Sequence, residues 1–186
     1  MSKFNLSKLL SILVMSLFLL GACASNEKKE TSDSSSKATS SEVVKAKDVS
    51  FQPKNHQLIT PTFELTLLTT ELKKDIDGKD SWFIYAEMEN KSKETILPET
   101  EWNTYIRFSD EEKGTESLYP HVLPKKDLDG SEYKTAIDNM SKELKANQRV
   151  KIGGLYALPE DKEVYLSVYD KEMNVFHSEK LKIPMK

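Results

Sequence analysis

The chain of 186 residues contains a single cysteine, Cys23. A lone thiol allows no intramolecular disulfide, no Cys-x-x-Cys redox motif and no cysteine-based metal site. Histidine is also scarce, since only His56, His121 and His177 occur, and no pair has the spacing of a motif such as His-Glu-x-x-His. A folded domain in this chain must therefore be stabilised by its hydrophobic core.

The sequence motifs of common enzymes are lacking as well. There is no Gly-x-Ser-x-Gly nucleophile elbow and no glycine-rich phosphate loop. The Asp-x-Asp-Gly segments at 75–78 and 127–130 lack the first and twelfth ligands of a calcium-binding EF-hand loop, so we interpret both as turns. We predict no cofactor, no metal ion and no catalytic residue, and therefore no enzyme.

The N-terminal residues have the pattern of a secretory signal. Residues 1–8 carry Lys3 and Lys8 and no acidic residue, and an apolar run follows from residue 9 to residue 20. As a helix this run would span about 18 Å, which is too short for the ~30 Å hydrocarbon core of a membrane. We predict that residues 1–22 are a signal peptide and not a transmembrane anchor.

The end of this signal, Leu20-Gly21-Ala22-Cys23, resembles the lipobox of bacterial lipoproteins. In that class the cysteine thiol is alkylated with a diacylglycerol whose acyl chains include palmitate, and a dedicated peptidase cleaves before the cysteine. The resemblance implies lipidation of Cys23 and attachment to the extracellular face of the cytoplasmic membrane. Two or three acyl chains bind a membrane firmly, whereas one binds marginally.

Residues 23–47 are predicted to be a tether. Ser, Thr, Lys and Glu dominate this stretch, and it contains no aromatic residue. Such a composition cannot bury enough apolar surface to offset the entropy lost on ordering, so we expect disorder. The remaining residues, 48–186, are of a suitable length for one domain with one core.

Most of residues 48–186 alternate between apolar and polar residues with period two, which is typical of strands. The clearest strands, Thr62–Leu67 and Ser81–Asn90, are expected to form a hairpin with a turn at Asp75–Gly78 and a β-bulge near Leu68. Further strands are predicted over residues 102–108, 117–122 (at an edge because of Pro120), 150–158, 164–168 and 175–183.

One segment has helical spacing instead. Apolar residues recur there at every third or fourth position, namely Tyr133, Ala136, Ile137, Met140 and Leu144. Asp129 and Ser131 precede them as candidate caps, so we predict one helix packed across the sheets. Seven or eight short strands without βαβ alternation predict a mainly β fold, an immunoglobulin-like antiparallel β-sandwich with one short helical insert.

Two stretches of this region resemble the small immunoglobulin-like, or telokin-like, domains of Gram-positive lipoproteins. Residues 83–92, Phe-Ile-Tyr-Ala-Glu-Met-Glu-Asn-Lys-Ser, are similar to a strand of that family that ends in Asn-x-Ser. Residues 144–150 and 154–159 are similar to its turn into the penultimate strands. The resemblance implies a Gram-positive cell-envelope lipoprotein with a domain of unknown function, and it implies no catalytic residue.

The strand alternation also predicts a possible binding surface. Tyr165 and Tyr169 lie opposite the apolar face of their strand, Tyr105 does so in its own, and Phe83 and Tyr85 extend this outward set. An exposed stripe of these aromatic side chains would bind a glycan or a protein. The alternative, which we favour, is that the helix or the tether covers them or that they form cross-strand pairs.

Two classes of function remain open. The first is a non-enzymatic module, held at the membrane by its N-terminal lipid, that binds an envelope protein or a wall polymer. Without residues 1–22 the chain has 25 basic and 30 acidic residues, and this net charge of −5 argues against a nucleic-acid partner. The alternative is a small envelope hydrolase or metal-dependent enzyme whose site forms only in three dimensions, in a cleft that joins His121 or His177 to two carboxylates.

Replacing Cys23 by serine should abolish lipid attachment, because a hydroxyl is a much weaker nucleophile than a thiol. In cells fed alkyne-tagged palmitate, the wild-type chain should be labelled and the Cys23→Ser chain should not. The Cys23→Ser chain should also keep the mass of the uncleaved precursor. The neighbouring Ser25→Ala variant should be labelled like the wild type. Labelling of Cys23→Ser would refute the assignment.

Overall fold

The computed structural model describes residues 43–114 and 116–185. Cys23, the predicted signal peptide and residues 23–42 of the predicted tether lie outside the described residues. The strands are β1 (Val44–Ala46), β2 (Val49–Gln52), β3 (Gln57–Ile59), β4 (Phe63–Lys74), β5 (Asp80–Asn90), β6 (Ile106–Ser109), β7 (Arg149–Ala157), β8 (Val164–Tyr169) and β9 (Val175–Leu181). The helices are α1 (Pro98–Tyr105), α2 (Lys125–Leu128) and α3 (Glu132–Met140), and Pro53–Asn55 forms one turn of 3₁₀ helix.

The strands form two antiparallel sheets. The larger sheet has the order β1-β2-β3-β4-β5-β7, and the smaller one has the order β6-β8-β9. One hydrophobic core contains residues of both sheets, among them Trp82 and Ile84 of β5 and Phe108, Leu166 and Val168 of the smaller sheet. The predicted mainly β, antiparallel sandwich is confirmed.

The β4–β5 hairpin is the longest pairing of the larger sheet and agrees with its prediction. Its register runs from Phe63 opposite Asn90 to Lys74 opposite Asp80, and it shifts between Leu67 and Thr69, where the bulge was predicted. The turn contains Gly78 at φ +77°, a conformation that glycine adopts without steric cost. Asp75 closes the turn, since its Oδ1 accepts hydrogen bonds from the backbone N–H groups of Asp77 and Lys79 at 2.9 and 2.7 Å.

Helix α3 covers the outer face of the larger sheet. Ser131 caps its N-terminus by accepting a hydrogen bond from the Lys134 N–H at 3.3 Å. Ala136 of the helix joins Phe83, Tyr85 and Leu155 in a second buried cluster. Strand β5 is therefore buried on both faces, although its sequence pattern alternates.

Three local predictions need correction. Trp102 and Thr104 were assigned to a strand, but they belong to helix α1, which begins with Pro98 and has Glu99 and Glu101 in its first turn. A proline at the first position and acidic residues near the N-terminus favour helix formation, and this signal outweighs the alternation of four residues. Strand β1 begins at Val44, inside the segment predicted as tether.

The third correction concerns residues 117–122, predicted as an edge strand. The segment follows the free edge of β7, because the Ala157 N–H donates to the Tyr119 carbonyl and the His121 N–H donates to the Leu155 carbonyl, both at 2.9 Å. It forms an isolated bridge at Pro120 instead of a regular strand, since proline has no N–H to donate.

Among the described residues no helix is long and apolar enough to span a membrane.

Close packing of β5 against β7 makes Gly153 sensitive to substitution. A Cβ atom there would lie 2.6 Å from the Ile84 carbonyl oxygen and 2.6 Å from a ring carbon of Phe83. Gly153→Ala should therefore lower the free energy of unfolding by about 2 kcal/mol, measured by urea denaturation of residues 24–186. At Gly154 the nearest atoms belong to the Tyr156 side chain at 3.1 Å, so Gly154→Ala should cost less. Equal losses would contradict this packing argument.

Candidate ligand-binding clefts

The predicted aromatic surface of Tyr105, Tyr165 and Tyr169 does not form. Tyr105 and Tyr169 are only 2% and 3% exposed. Tyr105 lies at the end of α1 and packs edge-on against Phe63, with ring centroids 5.4 Å apart. Tyr169 is covered by the Arg107 guanidinium, 4.6 Å from the ring centroid. Tyr165 is half-buried, so no stripe of exposed rings remains.

Phe83 and Tyr85, the other aromatics of that predicted surface, lie beneath α3. The Tyr133 ring contacts both of them, with centroids 5.0 and 5.9 Å away. The Tyr133 hydroxyl donates a hydrogen bond to Glu71 Oε2 at 2.6 Å, and this bond is the main cause of the lowered pKa of Glu71. The favoured alternative, that the helix covers these aromatics, is confirmed for this pair.

A cleft at the end of the β4–β5 hairpin contains His121, and we call it the hairpin cleft. Its volume is about 530 Å³. The charged and titratable residues that line it are Lys74, Lys79, Asp80, His121, Glu160 and Lys162. Lys74 pairs with Asp80 at 2.6 Å and lowers the pKa of that carboxyl. The cleft therefore places a histidine near carboxylates, as the enzymatic alternative requires.

The geometry around His121 differs from that of a catalytic triad. Nδ1 lies 2.7 Å from Ser81 Oγ and 3.0 Å from Asp75 Oδ2, so both partners contact the same ring nitrogen. The nearby carboxylate favours a proton on Nδ1, which makes the Ser81 oxygen an acceptor while its own hydroxyl donates to the Lys79 carbonyl. In a serine hydrolase the serine and the aspartate contact opposite nitrogens. Ser81 is thus a positioning group for the hairpin and not an activated nucleophile.

A second and larger cleft, about 750 Å³ in volume, lies where the 3₁₀ turn, β4, β9 and the C-terminal residues meet. We call it the lysine cleft. Its lining includes Lys54, His56, Leu68, Glu179, Lys180 and Lys182. Because β4 and β9 belong to different sheets, the cleft lies at the margin between the two layers of the sandwich.

Two departures from regular backbone geometry shape the lysine cleft. The β-bulge in β4 leaves Leu68 41% exposed, whereas Leu67 is buried in the core and Thr69 is half-buried. His56 adopts φ 47°, and its carbonyl accepts a hydrogen bond from the Leu67 N–H at 3.0 Å. Bulges and left-handed non-glycine residues occur preferentially at functional sites, so their coincidence marks this cleft as a candidate site.

The wall on the C-terminal side is fixed by hydrogen bonds to β4. The Met185 N–H donates to Thr70 Oγ1 at 2.6 Å, and the Met185 carbonyl accepts from Thr69 Oγ1 at 2.9 Å. These bonds hold Pro184 and Met185 against the segment that follows the bulge. The cleft is therefore preformed by backbone and side-chain contacts within the domain.

Glu179 lies between two histidines at the base of the cleft. Its Oε1 is 3.5 Å from His56 Nε2, and its Oε2 is 3.5 Å from His177 Nε2. Glu179 Oε1 and His177 Nε2 are buried without a hydrogen-bond partner among the described residues. His177 is partly buried, as predicted, and its ring centroid lies 4.7 Å from that of Phe51. The expected hydrogen-bond partner of its Nε2 is missing among the described residues. Across the described part of the chain no three potential ligands are grouped so that they could hold a metal ion.

The lysines of this cleft differ in their partners. Lys180 pairs with Glu163, and this hydrogen bond raises the pKa of Lys180. Lys54 and Lys182 form no ion pair with a carboxylate in residues 43–114 and 116–185. The cleft therefore combines two exposed, unpaired ammonium groups with an apolar wall.

The fold, two antiparallel sheets with a helix over the outer face of the larger one, defines the chain as a small β-sandwich domain. It belongs to the family described as domain of unknown function (DUF5067), whose model matches residues 24–170. No match was found among curated proteins.

Two solved structures have a similar fold. One is a provisionally assigned lipoprotein from Staphylococcus aureus subsp. aureus NCTC 8325, with a TM-score of 0.59 and 18% identity over 73% of this chain and 92% of that chain. The other is the NMR structure of a protein from Enterococcus faecalis, with a TM-score of 0.56 and 21% identity over 69% of this chain and 90% of that chain. At these identities the similarity extends to the fold alone.

Proposed function

We propose that this protein is a lipid-anchored, non-enzymatic binding module of the cell envelope, and that its ligand occupies the lysine cleft. Cys23 carries the lipid, and the domain lies on the extracellular face of the cytoplasmic membrane. The coincidence of a β-bulge, a left-handed histidine and unpaired lysines at one preformed cleft carries the proposal.

Three further observations support it. The lipobox at residues 20–23 is the pattern of an exported lipoprotein. The similar fold from Staphylococcus aureus belongs to a provisionally assigned lipoprotein. In the hairpin cleft Ser81 Oγ and Asp75 Oδ2 contact the same nitrogen of His121, which is not the geometry of nucleophilic catalysis.

Photo-crosslinking from the cleft tests the proposal in cells. A photoreactive amino acid at Leu68, which is 41% exposed in the cleft, should capture an envelope component on illumination. The matched control position is Ile76, which is 65% exposed at the hairpin turn and outside the lysine cleft. Capture that is identical at both positions, or absent at Leu68, would count against a ligand in this cleft.

A small envelope hydrolase remains the second candidate, because His121 lines a cleft and its Nε2 has no hydrogen-bond partner among the described residues. His121→Asn retains a short N–H donor for Asp75 and removes Nε2 as a base. If the protein is a binding module, His121→Asn should restore growth of a deletion strain under envelope stress as well as the wild type does. Failure of the stably produced variant would favour the enzyme.

A further inference from the structure

The lysine cleft has the electrostatic character of an anion site. Three lysines line it with a single carboxylate, although the chain as a whole is acidic. Lys180 is paired with Glu163, whereas Lys54 and Lys182 have no carboxylate partner among the described residues, so both are available to bind an anion. The carboxylate, Glu179, has its Oε1 buried and a histidine Nε2 3.5 Å from each of its oxygens.

The side chains that surround the cleft favour a phosphate over a planar carboxylate. Arginine forms a fork that matches two coplanar oxygens, whereas lysine binds a single oxygen from any direction. The lining contains lysines, the Asn55 amide and the His56 ring, and it contains no arginine. Separate donors of this kind suit the tetrahedrally arranged oxygens of a phosphate group.

The remaining lining is aliphatic. Its exposed members are Leu68 and Pro184, Leu67 and Met185 are largely buried beside them, and no Phe, Tyr or Trp lines the cleft. Sugar rings are commonly recognised by stacking on aromatic side chains, so this wall fits an alkyl or glyceryl group better than a saccharide. Leu68, exposed at the bulge, lines the same cleft as the lysines and provides an apolar contact there.

We propose that the lysine cleft binds a phosphate ester, with its anionic group at Lys54 and Lys182 and its aliphatic group against Leu68. The inference rests on the proposed function and gives it a ligand class. Phosphate esters near a membrane surface come from lipid headgroups or from phosphate-containing wall polymers, and both present the same chemistry to the cleft.

Titration of the mature lipidated protein in maltoside micelles with butyl phosphate tests this inference. We expect saturable binding to the wild type, measured by NMR chemical shifts or by calorimetry. The Lys54→Gln/Lys182→Gln double variant should have a roughly tenfold higher Kd. The control double variant, Lys125→Gln/Lys126→Gln, changes the net charge equally outside the cleft and should bind as the wild type does. Leu68→Ser should weaken butyl phosphate binding and leave the weaker binding of inorganic phosphate unchanged.

Two further probes distinguish the sources. Preferential binding of dihexanoyl phosphatidylglycerol would identify a lipid headgroup, and preferential binding of a glycerol-phosphate oligomer would identify a polymer; both outcomes support the inference. Absence of butyl phosphate binding, or equal losses of affinity in the two double variants, would overturn the inference.

If crosslinking from Leu68 still captured a component, the proposal of a binding module would stand and only the ligand class would be wrong. If crosslinking failed too, both proposals would fall.

Discussion

Burial of strand β5 on both faces is the constraint on which the rest of the structure depends. Trp82 and Ile84 pack into the core between the sheets, and Phe83 and Tyr85 pack under α3, all with almost no exposure. Each large side chain contributes about 1.5–3 kcal/mol when it is fully buried. In a domain without disulfides, the hydrophobic contacts of this strand join three layers of the structure.

The two clefts lie where this regular packing ends. Beyond the bulge, β4 no longer pairs with β3, and the C-terminal residues cover its edge through Thr69 and Thr70. At the other end of the same strand, Asp75 holds the hairpin turn and contacts His121. A single hairpin therefore supplies one wall of the lysine cleft and the carboxylate beside His121 in the hairpin cleft.

The histidines in the two clefts have different environments. His121 Nδ1 contacts the Ser81 oxygen and the Asp75 carboxylate, so this nitrogen is satisfied. His56 and His177 flank Glu179 at 3.5 Å, which is longer than a normal hydrogen bond, and leave buried polar atoms unpartnered. Unsatisfied buried groups are costly and rare in folded domains, so they mark the lysine cleft more strongly than the hairpin cleft.

The sequence by itself determined the hairpin, its bulge at Leu68, the cap at Ser131 and the sandwich class, because strand alternation, turn residues and caps are local signals. It could not determine that both faces of β5 are buried, since that depends on where α3 packs. It also misplaced Tyr105, because the helical start at Pro98 outweighed the strand pattern. Only the tertiary structure brought together His56, Leu68 and Glu179, which belong to distant segments of the chain, so no spacing in the sequence could reveal the lysine cleft.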